Sequence, residues 1–142
     1  MKKIMLVGKS GSGKTTLMQV LNHYDIEYQK TQTIEYEKNI LDTPGEYIEN
    51  VRFYNALITS SYDCDIIGFI NDCTDVECIF PPKFACIFTK PVIGIITKID
   101  ENHKNVIRAE ECLVQAGVKE IFPVSALHNK GIEALKKILG CI

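Results

Sequence analysis

Residues 2–23 restrict this chain more than any other stretch. Lys2-Lys3-Ile4-Met5-Leu6-Val7 is a short apolar run suited to a buried parallel strand. It leads into Gly8-Lys9-Ser10-Gly11-Ser12-Gly13-Lys14-Thr15-Thr16, after which Leu17, Val20 and Leu21 recur at helical spacing. The spacing predicts a strand over 2–8, a glycine-rich turn and a helix over 14–23. Gly8-x-x-x-x-Gly13-Lys14-Thr15 within that frame is the P-loop pattern. Its chemistry follows from the parts. Glycines let backbone N–H groups close around phosphates, and the helix N-terminus favours their negative charge. Lys14 is expected to reach the β- and γ-phosphates, and the Thr15 hydroxyl to ligate Mg²⁺. Residues Gly8 to Thr16 are therefore the first candidate site.

The other elements extend this start into an α/β fold. Short strands are expected around 34–37 and 39–42, then a helix within 47–61 and apolar strands over 65–71 and 91–96. An amphipathic helix follows over 102–116, with Gly117 placed to stop it. A last strand covers 120–124 and a last helix 132–139. Residues 24–33 read as a polar connection. Residues 72–90, with Pro81-Pro82 and scattered aromatics, read as a loop or a truncated helix. Alternating strands and helices predict a mostly parallel sheet with helices on both faces, in one domain spanning 1–142. The chain's 142 residues, 46% of them hydrophobic, are enough for one full core.

Composition narrows the partners. The net charge is −2 and no Lys/Arg-rich run occurs, so nucleic acid is not expected. No signal peptide or membrane span is read, which implies a cytoplasmic protein. Six cysteines form no C-x-x-C pair and are expected as buried, reduced thiols. His23, His103 and His128 lack metal spacing and are expected at the surface.

Three further motifs complete a nucleotide site. Asn39-Ile40-Leu41-Asp42-Thr43-Pro44-Gly45 puts an aspartate at a strand's C-terminal end, where it can hold a Mg²⁺-bound water. Gly45 would offer its N–H to a γ-phosphate. Thr97-Lys98-Ile99-Asp100 follows a strand. The Asp100 carboxylate can accept from guanine N1–H and its 2-amino group, donors that adenine lacks in that arrangement, while the Lys98 stem packs over the ring. Ser125-Ala126-Leu127 can present a backbone N–H to guanine O6.

In order and placement these elements resemble the small-GTPase-like P-loop proteins. The peptides KTQTIEY (30–36), DTPGEY (42–47) and NALITSSYD (55–63) are similar to the EutP/PduV family of ethanolamine and propanediol utilisation. That resemblance implies a bacterial microcompartment setting, with shell or pathway proteins as partners. An ATP-dependent acetate kinase activity is implied by the same resemblance.

Several positions depart from the Ras-like pattern. A Mg²⁺-sensing threonine is needed ahead of the second strand; Thr33 is the choice and Thr31 the runner-up. Thr33 precedes Asp42 by only nine residues, so the switch hairpin is expected to be shortened. Glu46 stands where Ras-like enzymes carry a water-orienting glutamine, and a carboxylate cannot donate an amide N–H. Ser10 replaces the loop glycine through which Ras-like enzymes admit an arginine finger, and Gly11 sits where cation-dependent relatives carry asparagine, so neither accelerator is written into this loop. Catalysis would rest on Lys14 and Mg²⁺, with Glu46 beside the attacking water. The expected function is a slow GTP-binding switch or GTPase. The alternatives are an acetate kinase and a nucleotide-binding structural component with no turnover that matters.

Overall fold

Parallel strands in mid-sheet must be apolar on both faces, and the first strand meets that demand. In the computed structural model, which describes residues 2–9, 11–32, 39–74, 77–99, 106–126 and 130–140, β1 (Ile4–Val7) is buried along its whole length. Ile4 and Leu6 face one layer, and Met5 and Val7 the other, as the two-residue period of a strand requires. Four more strands join it: β2 (Ile40–Asp42), β3 (Ile66–Asp72), β4 (Val92–Thr97) and β5 (Glu120–Pro123). The order is β2-β1-β3-β4-β5 and every pairing is parallel. The chain thus reverses its direction of strand addition at β1 and β3, and ligands in such sheets bind beyond the strands' C-terminal ends at that switch point.

Helices cover both faces. α1 (Lys14–Gln32) and α5 (Ile132–Leu139) pack on the Ile4/Leu6 side through Leu17, Leu21, Leu135 and Leu139. α2 (Glu46–Glu49), α3 (Tyr54–Ser61) and α4 (Val106–Gln115) close the Met5/Val7 side, with Ile48, Leu57 and Leu113 in the core. This is a single α/β domain of the expected class. Gly94 lets α4 approach β4, because a Cβ there would stand 2.8 Å from Leu113 Cδ1. Gly117, at φ 95°, follows α4 as expected of a helix stop.

Two readings from the sequence are corrected. α1 continues to Gln32, through the expected polar connection. No Gly or Pro interrupts residues 14–32, so nothing in the backbone chemistry stops the helix at residue 23. The cysteines are not all reduced: Cys78 and Cys112 form a disulfide, and Cys86 is exposed. Cys64 and Cys73 are buried free thiols, as expected. The two bonded cysteines lie 34 residues apart and meet only because the 77–80 turn lies against α4. That separation carries no local signature.

Among the described residues between β3 and β4, a 3₁₀ turn, Phe84–Ile87, stands where a crossover helix would be expected. Aromatic packing takes the helix's place. Phe80 stacks on Phe69 of β3 at 4.6 Å, and Phe84 and Phe88 pack against the same ring at 5.6 and 5.9 Å. The expected first switch strand, 34–37, lies outside the described residues, as do His103 and His128; His23 is exposed.

Candidate functional site

The C-terminal ends of β1, β2 and β4 converge on one cleft of about 500 Å³. It is lined by Lys9, Gly11, Gly13, Lys14, Thr15, Thr16, Asp42, Pro44, Gly45 and Lys98. Three motifs far apart in sequence therefore share one space. Gly13 makes the turn possible. Its φ of 86° is a left-handed conformation, and an added Cβ would stand 3.3 Å from the Thr97 side chain. Gly8 lies beneath the turn, where a Cβ would meet Ser12 Oγ at 2.9 Å.

Lys14 opens α1 and is buried. Its ammonium donates to the Thr43 carbonyl and pairs with Asp42 Oδ1 at 2.9 Å. The Thr43 hydroxyl donates to the Leu6 carbonyl at 2.8 Å, tying this turn to β1. A positive ammonium and a carboxylate thus meet at the start of a helix, in a cleft that Thr15 also lines. The oxygen donors, one hydroxyl and one carboxylate, fit a hard cation such as Mg²⁺, which keeps waters and shares phosphate ligands. Among the described residues no group of three or more His, Cys, Asp or Glu side chains forms a metal site by itself.

The opposite wall is the β4 end. Thr97 donates to the Ser12 carbonyl at 2.5 Å. Lys98 adopts φ 59°, a left-handed conformation that a non-glycine residue holds only under tertiary constraint. Its ammonium donates to the Gly11 carbonyl at 2.9 Å and pairs with Asp72 Oδ2 at 2.7 Å. Burial alone would push the Asp72 carboxyl up. The Lys98 ammonium and two hydrogen bonds from Thr74 outweigh it and hold the group below the usual aspartate range.

The remaining expected residues divide three ways. Glu46 is exposed at the start of α2 and is not among the cleft-lining residues. Ser125 is buried, and its backbone N–H donates to the Lys130 carbonyl at 2.9 Å. That N–H is already engaged, so a donor to a base would have to come from Ala126, which is half-buried, or Leu127. Ser10, Thr33, Asp100 and Leu127 lie outside the described residues. Asp72, the buried partner of the cleft residue Lys98, is a contact that sequence reading missed. Its signal was present as an acidic residue closing the apolar run Ile66 to Phe69-Ile70-Asn71. The hydroxyls of Ser12 and Ser125 are buried without a hydrogen-bond partner.

Comparison with known proteins agrees with this architecture. The elongation factor SelB of Methanococcus maripaludis, in complex with the GTP analogue GppNHp, superimposes with a TM-score of 0.66 at 22% identity. The match covers 96% of this chain and 32% of SelB, about a third of that protein, and concerns the fold. Propanediol utilization protein PduV of Citrobacter freundii is 40% identical over 136 residues, 95% of this chain and 91% of its own. "Probable acetate kinase EutP" of Escherichia coli K12 is 33% identical over 141 residues, 98% of this chain and 87% of its own. The family described as "Ethanolamine utilisation - propanediol utilisation" (PduV-EutP) matches residues 1–141. With a GTPase-like fold, a cleft at its switch point and a match along nearly its whole length, the chain belongs to the PduV-EutP family.

Proposed function

We propose that the protein is a slow GTP-binding switch or GTPase of ethanolamine or propanediol utilisation, acting in the cytoplasm beside microcompartment shell or pathway proteins. The observation that carries this reading is the shared cleft, in which Lys14, Thr15, Asp42 and Gly45 face Lys98. Residues 1–142 would form one nucleotide-binding domain. The backbone from Gly8 to Thr16 would wrap the phosphates, with Lys14 leaving Asp42 for the β- and γ-phosphate oxygens. Thr15, Thr33 and Asp42 would hold Mg²⁺ directly or through water, and the ion would neutralise phosphate charge. Asp100 would accept the two guanine donors above the Lys98 stem, and Ala126 or Leu127 would donate to O6. Glu46 is exposed, does not line the cleft and offers no amide N–H to orient a water, so turnover would be slow.

A second reading follows from the EutP relative: transfer of the ATP γ-phosphoryl group to acetate, giving ADP and acetyl phosphate. It needs a cationic or N–H clamp for a carboxylate. Lys9 lines the cleft, whereas Arg52 sits over the Phe53 ring at 4.8 Å. The clamp is therefore the weaker part of this reading.

Competitive binding of GTP, ATP and XTP to the wild type and Asp100→Asn separates the two. We expect at least a tenfold preference for GTP, about 1.4 kcal/mol, and a shift toward XTP in the variant. ATP binding at least as well as GTP, with acetyl phosphate formed from ATP and acetate, would replace the first reading with the second.

A further inference from the structure

We infer that Asp72 is a positioning residue that fixes Lys98 and thereby locks the base-binding loop to the phosphate-binding loop. The inference rests on the guanine-nucleotide reading above. Asp72 closes β3, does not itself line the cleft, and pairs with Lys98, which does. Its side chain is only 8% exposed, so an unpaired charge there would be costly. Every oxygen is used: Oδ1 accepts from the Thr74 N–H at 2.8 Å and hydroxyl at 2.7 Å, and Oδ2 from Lys98. The adjacent Cys73 thiol donates to the Lys98 carbonyl at 2.9 Å. The end of β3 therefore grips Lys98 at both its head and its backbone. That grip accounts for the left-handed φ of 59°. From this anchored position the ammonium reaches the Gly11 carbonyl at 2.9 Å. One carboxylate thus sets where a long, flexible stem lies, and the stem is the surface on which a base would rest. Removing the carboxylate frees the stem, so base binding has to re-order it, while the phosphate contacts made by Lys14 and the loop N–H groups persist.

The test compares Asp72→Asn, Lys98→Met and the double variant, with circular dichroism as the folding control. GTP and inorganic triphosphate, which has no base, are the binding probes. We expect Asp72→Asn to weaken GTP tenfold or more and triphosphate no more than threefold. The double variant should bind GTP no worse than Lys98→Met. In the nucleotide-free protein, acetylation of Lys98, followed by mass spectrometry, should run at least fivefold faster in Asp72→Asn. Thr74→Ala, which removes one hydrogen bond to the same carboxylate, is the milder variant and should move each readout the same way. Equal loss of both probes, additive effects in the double variant or an unchanged acetylation rate overturns the positioning role. Wild-type protein that prefers ATP defeats the guanine reading instead, and the acetylation comparison then decides Asp72 by itself.

Discussion

Lys14 illustrates how one residue serves two states of the site. In the structure its ammonium neutralises Asp42 and caps the Thr43 carbonyl, so the cleft holds no unpaired charge at that point. A triphosphate would compete for the same ammonium and release Asp42 toward a cation. Asp42 is 38% exposed and can be solvated when its partner is absent. Lys14→Ala should therefore change folding stability by no more than about 1 kcal/mol, as for a partly exposed ion pair. The same substitution should abolish nucleotide binding by isothermal titration. Unchanged affinity in a folded variant would remove the P-loop assignment. Cys64 is a buried free thiol away from the cleft lining. Burial pushes its thiol up, which keeps it protonated and unreactive near neutral pH.

At the scale of elements, the connection from β3 to β4 departs furthest from a standard crossover. With a short 3₁₀ turn among its described residues, it is held by the phenylalanine cluster on Phe69 and by the disulfide from Cys78 to Cys112 on α4. The bond closes a loop of 34 residues, and a loop of that size corresponds to roughly 2–4 kcal/mol of stabilisation. Urea denaturation should register a loss of that size on adding a thiol reductant. Cys78→Ser, at an exposed position, should show the lower stability with no response to reductant. Equal stability of the oxidised and reduced protein would place the burden on the phenylalanines alone. Closer in, Gly94 fixes the spacing of α4 from β4, because any side chain there would displace Leu113.

For the whole molecule, acid stability should trace the Asp72–Lys98 pair that joins β3 to β4. The folded state holds the Asp72 carboxyl below its ordinary value near 3.9, so it binds the proton less readily than the unfolded chain does. The pair's contribution is complete above that value and is lost as pH falls toward and through the lower folded value. Urea midpoints measured from about pH 2 to pH 6 should therefore fall more steeply below about pH 4 in the wild type than in Asp72→Asn. Parallel profiles would show that the pair contributes little to folding. Among the described residues no helix is long and apolar enough to cross a membrane.

The local parts of this protein were determined by its sequence. A buried strand needs consecutive apolar residues, a phosphate turn needs glycine at fixed intervals, and a helix needs a start without breakers. All three conditions act over a few neighbours, so β1, the glycine-rich turn after it, β3 to β5 and α5 were legible. The sequence reading ends α1 at residue 23 because residues 25–33 are mostly polar, whereas the helical backbone runs to Gln32. Tertiary structure alone decided the contacts between distant residues. Asp72 could not be linked to Lys98, nor Cys78 to Cys112, nor Thr97 to Ser12, before the parallel sheet set β1, β3 and β4 side by side. Side-chain chemistry is written in the sequence, but which charge neutralises which depends on distances of a few ångströms that only the packed sheet supplies.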